Sequence, residues 1–523
     1  MQPSAGAGRY GYVQERPTPG VVCTVHCMAT AGSVAASVRD CLVAQHSSPP
    51  PAKPYERQAL AWVERSVDTA RPKSTVKASL VPAQVCCCRM QGITVFLGDK
   101  ITVERFCDEA KVVAVRKRAT GEATCVHQAE RDRLPLALRA TDALPPLVNF
   151  FPATKAVTLK AKMVQTLCGV YGPRRVFASL TPETFILFPG AVGADERVSF
   201  AAALPAPDPH FPENVWIAKQ SHGKGGEGVC IVDGGRAGDA RQQRVAFDKV
   251  CAYVDANPNE FPWVVQRYAA APLLLRGRKF DLRHWVLVTP NLQVWLHAEG
   301  VCRTSSEPYT PGGYENHIVH VTNHYWQVTS KNYGKHEPGN FISFAELQDR
   351  MLKELRVSVA GSPGCTRPVD YTRDIEPQVK AIIVNVLASV REGMLPEFRP
   401  PFAPPYRSWQ LLGFDFIIDQ QLKVWLLETN GAPGIAAHMH DAMVDDVLEL
   451  LAPSLPAGAV NVAKIRSGAT AVKSATQAAH FDATYKVPAN AAAAGGRPTP
   501  RPNGFVKIFD LAAPLSGNPA KLC

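Results

Sequence analysis

Apolar positions recur along this chain at two periods, and the periods separate strands from helices. Runs rich in β-branched and aromatic residues, flanked by Gly, Pro and Asn, predict strands at Val215–Lys219, Val229–Val232, Trp263–Tyr268, Trp285–Val288, Leu292–Leu296, Phe414–Ile418 and Val424–Glu428. Two windows carry the helical period instead. Thr158–Tyr171 places Leu159, Met163, Val164 and Leu167 on one face, and Asp374–Met394 does the same with Ile375, Val379, Ile382, Ile383, Val386, Leu387 and Val390. The expectation is an α/β chain with mixed α+β sheets. Both ends lose the pattern. Residues 1–58 are rich in Pro, Gly, Ala and Ser, and the stretch from about Ser454 is Ala-rich before GGRPTPRPNG, so each reads as a disordered extension. The charged run Asp108–Pro145 reads as a surface insertion. The expected division is an extension at 1–58, an amino-terminal domain at 59–157 carrying the insertion 108–145, a central domain at 158–273, a carboxy-terminal domain at 274–453 and a tail at 454–523.

Composition narrows the partners. A hydrophobic fraction of 46% and a charged fraction of 20% over 523 residues are enough for real cores. The net charge of +11 points to an acidic partner. No RRM, KH or zinc-finger pattern supports nucleic acid, and no long apolar run supports a membrane span. No charged start followed by an apolar run marks a secretory signal. The 14 cysteines show no pairing rhythm, and Cys86, Cys87 and Cys88 are adjacent, which reads as reduced, cytoplasmic usage.

Three separated stretches carry the chemistry. The first is NVWIAKQSHGKGGEGVCIVD, Asn214 to Asp233, in which Gly223-Lys-Gly-Gly-Glu-Gly228 joins two strands. A Walker-A loop would continue with Ser or Thr into a helix. A glycine hairpin between strands instead fits a lid, because Gly225, Gly226 and Gly228 let backbone N–H groups approach phosphate. Lys219 ends the strand beneath it. The segment Gln266-Arg267-Tyr268-Ala269 ends the next predicted strand and can offer backbone groups to an adenine edge. In the second stretch, GRKFDLRHWVLV, Lys279, Asp281 and Arg283 share one face because they alternate along an extended run. Two cations flanking an acid make a poor core and a good clamp for phosphate and carboxylate.

The third stretch, GFDFIIDQQLKVWLLETNGAPG, holds Asp415 and Glu428 inside two apolar strands. Buried acids are costly unless satisfied. Mg²⁺ would satisfy them, with Asn430 adding a neutral oxygen on the same face as Glu428, and an ion pair with arginine is the competing explanation. The run His317-Ile-Val-His320-Val-Thr-Asn-His324 has histidine spacing that suits a helix, but its β-branched residues predict an extended segment. His320, Thr322 and Asn323 are then read as hydrogen-bonding groups rather than metal ligands.

Taken together, these runs resemble the ATP-grasp ligases, and among them the tubulin tyrosine ligase and tubulin tyrosine ligase-like family. The likeness runs from about Val148 to Pro453 and rests on NVWIAKQS, APLLLRGRKFDLRHWVLV, EGVCRTSSEPY, HVTNH, SKNYGKHEPGN and GFDFIIDQQLKVWLLETNGAP. It implies that Lys160 and Lys219 contact ATP phosphates, that Gln266 through Ala269 line the adenine pocket, and that Lys279, Asp281, Arg283 and Arg303 hold γ-phosphate and acceptor carboxylate. By the same resemblance His320, Thr322 and Asn323 complete the nucleotide side, and Asp415, Glu428 and Asn430 bind Mg²⁺. Arg303-Thr-Ser-Ser-Glu-Pro-Tyr309 and Asn430-Gly-Ala-Pro433 look like the tyrosine-adding branch. The implied reaction joins free L-tyrosine to the carboxy-terminal glutamate of detyrosinated α-tubulin through an acyl phosphate. The alternatives are glutamate or glycine addition by the same machinery, and a tubulin-binding protein without catalysis. A cytoplasmic protein associated with microtubules is implied. The sequence departs from the family pattern at Ala269, where a larger apolar residue is expected, and at Lys100, where an arginine is.

Overall fold

In the computed structural model, the described residues are 147–455 and 503–513, without positions 207, 209, 224, 225, 227, 237, 259, 260, 360–363, 397–406, 437 and 438, together with the backbone of three earlier strands. Those strands, Val22–Met28, Ala61–Arg65 and Val95–Gly98, pair in parallel and join Leu147–Val148 and Arg407–Ser408 in one five-stranded sheet. The first of them falls inside the stretch read as an extension. The expected insertion at 108–145 and Lys100 lie outside the described residues.

A four-stranded antiparallel sheet, in the order Thr184–Leu187, Trp263–Arg267, Val215–Gln220, Val229–Asp233, forms the central layer. One face packs Trp216, Trp263 and Val265 on Val250 and Val254 of the helix Ala240–Ala256. Asp239 caps that helix by accepting from Gln242 N, as a short acidic side chain does at an N-terminus.

The larger sheet is built around the eleven-residue strand Arg278–Val288. It pairs on one edge with Gln293–His297 and Val301–Thr304, and on the other with Gln410–Ile418, which pairs onward with Val424–Asn430. Register places Asp281 opposite Arg303, Arg283 opposite Asp415, and Asp415 opposite Glu428. Cross-strand neighbours are close enough to interact directly, so the register itself draws a charged row across four strands. The apolar residues between them, such as Phe280, Leu282, Phe414 and Phe416, enter the main core.

Two expected helices are present in altered form. The window Thr158–Tyr171 breaks at Leu159, whose backbone is extended (φ −110°, ψ 126°), so the long helix is Lys160–Tyr171 and ends at Gly172 with φ 80°. The window Asp374–Met394 opens with a wide π-type turn over Tyr371–Ile375, continues as Glu376–Ala388 and breaks before a short helix at Arg391–Met394. Pro377 lies in the first turn of the second part, where its missing N–H costs nothing.

The tail departs most from expectation. Phe505–Asp510 is a strand that extends the large sheet by pairing with Gln293–His297, and Phe505 and Leu511 are buried. Its Pro- and Gly-rich surroundings disguised a short run rich in β-branched and aromatic residues. No helix among the described residues is long and apolar enough to cross a membrane.

Candidate active site

Between the central sheet and the charged row of the large sheet lies a half-open cleft. Its walls come from both sheets. The central sheet supplies Lys219 and the segment Gln266–Ala269, with Gly226 of the glycine hairpin above. The large sheet supplies Lys279, Asp281, Arg303, Asp415 and Glu428, and Lys160 enters from the start of its helix. His320, Thr322 and Asn323 close the remaining side. Arg283, Gly228 and Asn430 are not among the lining residues, and Gly225 lies outside the described residues.

The carboxylates are satisfied by cations of the chain. Arg283 donates twice to Asp415, at 2.7 and 2.6 Å, and Arg303 adds a third bond at 2.9 Å. Arg303 also holds both oxygens of Asp281, Oδ1 at 2.6 Å and Oδ2 at 2.7 Å, and Thr322 donates to Oδ2 at 2.8 Å. This is the arginine pairing weighed above for Asp415, with both of the Arg283 bonds on that carboxylate. Burial alone would push the Asp415 carboxyl up, yet the two guanidinium groups hold it below the usual carboxylate range. Glu428 pairs with Lys160 at 2.9 Å and accepts from Asn430 at 3.2 Å. Burial would raise it too, and Lys160 together with Arg283 keeps it low.

Lys219 and Lys279 are different. Lys219 donates to the amide oxygen of Gln266 at 2.8 Å, and Lys279 donates to the Tyr268 hydroxyl and the His320 carbonyl at 2.8 and 2.9 Å. Neither has a carboxylate at ion-pair distance among the described residues. Burial, with Lys160 nearby, pushes Lys219 down to about 8, and burial pushes Lys279 down to about 7 against the pull of Asp281. Two desolvated ammonium groups facing one cleft with neutral partners need an anion to complete them.

Arg267 lines the cleft, while its guanidinium donates to Glu183 at 2.9 Å and lies over the Trp216 ring, because alternate residues of a strand face opposite ways. One expectation is corrected here. The stretch from His317 is a helical turn over His317–His320 rather than extended, and a second helix, His324–Gln327, follows. The three histidines diverge: His317 packs edge-on against Trp326, His320 meets the Tyr268 hydroxyl at 3.0 Å, and His324 contacts Tyr333. Burial and Lys279 push His320 down to about 4, so it is neutral.

Residues that sequence reasoning passed over supply the apolar walls: Ile217, Val229, Ile417 and Leu427. Ile217 was accessible from alternation with Lys219, as was Ile417 with Asp415. Leu427 was not. It is an extra residue in its strand, since Asp415 pairs with Glu428 and Phe416 with Leu426, and this bulge lets Leu427 and Glu428 both reach the cleft.

The donors fit both a nucleotide and a cation. The backbone N–H and C=O of Ala269 carry no hydrogen bond among the described residues, beside apolar walls suited to a flat ring. Asp415 and Glu428, with Asn430 adjacent, are oxygen donors with acceptor capacity left over, which suits a magnesium ion shared with phosphate rather than a closed protein cage.

Comparison with known proteins agrees with this architecture. Residues 148–455, more than half of the chain, match the tubulin-tyrosine ligase family. Tubulin monoglycylase TTLL3 of Mus musculus is 26% identical over 242 residues, 45% of this chain and 23% of its own length. Tubulin glycylase 3B of Tetrahymena thermophila is 25% identical over 240 residues, 45% of this chain and 18% of its own. The probable tubulin polyglutamylase TTLL9 of Mus musculus is 32% identical over 177 residues, 34% of each chain. The chain thus spans about a third or less of the length of these curated relatives.

Proposed function

We propose, from the premise that this chain belongs to the tubulin-tyrosine ligase family, that it is an ATP-dependent carboxylate–amine ligase that modifies tubulin. The observation that carries this reading is the pair of buried, carboxylate-free lysines, Lys219 and Lys279, facing the same cleft as the paired acids Asp415 and Glu428. Counting formal charges, Arg283 and Arg303 offset Asp281 and Asp415, and Lys160 offsets Glu428. Lys219 and Lys279 leave the cleft two positive charges in excess when protonated, a match for the two net negative charges of ATP carrying one Mg²⁺.

The reaction follows from what a carboxylate lacks. An amine cannot displace oxide from it, so the carboxylate oxygen first takes the γ-phosphoryl group and ADP leaves. The free amino acid's α-amine then forms the amide, and phosphate and a proton leave. Free α-amino groups titrate at about 7.7–8.0, so part of the population is already neutral. Lys219 and Lys279 would hold the phosphates, Ala269 the adenine edge, and Arg303 the approaching carboxylate, while Asp281 fixes Arg303 in place. Magnesium bound by Glu428, Asp415 and Asn430 would neutralise phosphate oxygens. The chain's own contribution is to bring two anions together and keep them aligned.

For the amino acid added, two lines of support differ. The runs Arg303–Tyr309 and Asn430–Pro433 favour tyrosine, whereas the relatives are named as glycylases and polyglutamylases. The relatives weigh more, since identity over whole segments outweighs two short runs, and glycine or glutamate is the favoured donor. Incorporation of labelled glycine, glutamate and tyrosine into tubulin, with and without prior carboxypeptidase treatment, tests this. Incorporation of glycine or glutamate irrespective of treatment is the expected result. Tyrosine incorporation confined to treated tubulin would replace it with the tyrosine reading, and no incorporation at all would leave a tubulin-binding protein without catalysis.

A further inference from the structure

The run SKNYGKHEPGN, residues 330–340, supplies no wall of the cleft, yet its Glu337 and Asn340 are only 2% and 3% exposed. Both grip the strand that carries Arg303, from behind. Residues of a strand alternate between its faces, so Thr304 and Arg278 point away from the cleft that Arg303 and Lys279 enter. Glu337 Oε1 accepts from Arg278 at 2.6 Å and from Arg350 at 2.7 Å, and Oε2 accepts from the Thr304 hydroxyl at 3.0 Å. Asn340 donates to the Thr304 carbonyl at 3.0 Å and to the Ser306 hydroxyl at 2.8 Å. It does so from a left-handed backbone, φ 58°, a region that few residues other than glycine adopt.

The grip falls where the strand ladder ends. Val301–Thr304 pairs with the start of the long strand, from Phe280 to Arg283. Past Thr304 the backbone is held by Ser305 N donating to the Lys279 carbonyl at 2.8 Å and by Arg278 donating to the Ser305 carbonyl at 2.9 Å. Ser306 N donates to the buried Gln327, whose amide donates to the carbonyls of Ile318 and Val321, the latter one residue before Thr322. Arg303 and Thr322 both bond Asp281. One buried polar path therefore runs from Glu337 to two partners of Asp281. Arg303 also reaches Asp415, so three bonds to two carboxylates fix its guanidinium. A shift of the strand would spoil them, because hydrogen bonds weaken steeply with misalignment.

We propose that Glu337 is a positioning residue for Arg303. By holding Thr304 and Arg278 from behind the sheet, it sets where the Arg303 guanidinium stands between Asp281 and Asp415, and it touches neither nucleotide nor acceptor. The proposal rests on the ligase reading, which gives Arg303 an approaching carboxylate to meet. A buried ion cluster that serves folding alone is the competing explanation. The two roles separate on the partners of one carboxylate. Arg350 belongs to the helix Phe344–Glu354, whose Leu347 and Met351 enter the main core, whereas Thr304 leads to Arg303.

The test compares variants of the full chain on the two sides. Thr304→Val keeps the side-chain shape and removes the hydroxyl, Thr304→Ser keeps the hydroxyl, and Arg350→Met removes the core-side partner. Each is read by thermal melting, by ATP affinity, and by kcat and KM for transfer of labelled amino acid to tubulin. NMR hydrogen exchange at Arg303 Nε–H, a resonance identified by its loss in Arg303→Lys, reports the setting of the guanidinium directly. Thr304→Val, Arg350→Met and Glu337→Gln should all lower the melting midpoint. Thr304→Val and Glu337→Gln should also lower kcat about tenfold, as misplaced groups do, and speed exchange at Arg303. Arg350→Met should do neither, Thr304→Ser should restore both, and ATP affinity should be unchanged throughout. Wild-type kcat in Thr304→Val, an equal kcat loss in Arg350→Met, or unaltered Arg303 exchange in Thr304→Val would each overturn the proposal. Absence of transfer by the wild-type chain would remove the ligase reading alone, and exchange at Arg303 would still decide what Glu337 positions.

Discussion

At the residue scale, the pH response of the cleft is set by lysines that are cheaper to hold uncharged. Lys279 falls from 10.5 to about 7 and Lys219 to about 8, both by burial first. Above those values and up to 10.5 the unfolded chain carries protons that the folded chain lacks, so unfolding takes up protons and stability rises with pH. Bound triphosphate reverses the preference by favouring the charged forms. Thermal melts should therefore show the free protein gaining stability as pH rises from about 7 toward 10.5, while the stabilisation by ATP shrinks. Calorimetry should detect proton uptake on ATP binding at pH 8, and its absence would place both lysines outside the phosphate site. Two substitutions separate chemistry from folding. Glu428→Gln should abolish amino-acid transfer while leaving tubulin binding intact, and full turnover would sink the metal assignment. Arg303→Ala leaves Asp281 and Asp415 short of a buried partner, so it should cost about 3–5 kcal/mol of stability, read from denaturant unfolding.

Elements show which of this the sequence makes legible. Alternation along Lys279, Asp281 and Arg283 was enough to place them on one face, and apolar strands around Asp415 and Glu428 marked acids that must be compensated. What compensates them was not legible, because the choice between arginine and metal depends on cross-strand register, and register is a long-range property. The same holds for the bulge at Leu427 and for the break at Leu159, which puts Lys160 at the head of its helix and within 2.9 Å of Glu428. Local propensity does not report either. Phe505–Asp510 was hidden for another reason: six residues of strand inside a Pro- and Ala-rich tail are too short for composition to reveal. It covers the edge of Gln293–His297 and brings Phe505 and Leu511 into the interior. Ending the chain before Asn503 should lower the melting midpoint and raise light scattering on heating, because it uncovers an unpaired strand edge and apolar surface. An unchanged midpoint would mean that the strand adds nothing to the sheet.

For the whole molecule, the net charge of +11 acts at two depths that salt distinguishes. Cations inside the cleft are desolvated and lie within hydrogen-bond distance of their partners, where mobile ions screen little. Exposed ones such as Lys331 and Lys335 act through water, and at about 0.15 M salt their reach is about 8 Å. Affinity for an acidic protein partner should therefore weaken steeply as salt rises, chiefly through a slower association rate, since steering acts before contact. ATP affinity, for which Lys219 and Lys279 are proposed as the phosphate contacts, should change much less over the same range. Stopped-flow association with tubulin and equilibrium ATP binding, measured in one salt series, read the two depths separately. Parallel slopes would mean that both ligands meet solvated charge, which contradicts the burial of the cleft. A flat slope for tubulin would remove electrostatic capture from the account and leave the excess charge without a role in binding it.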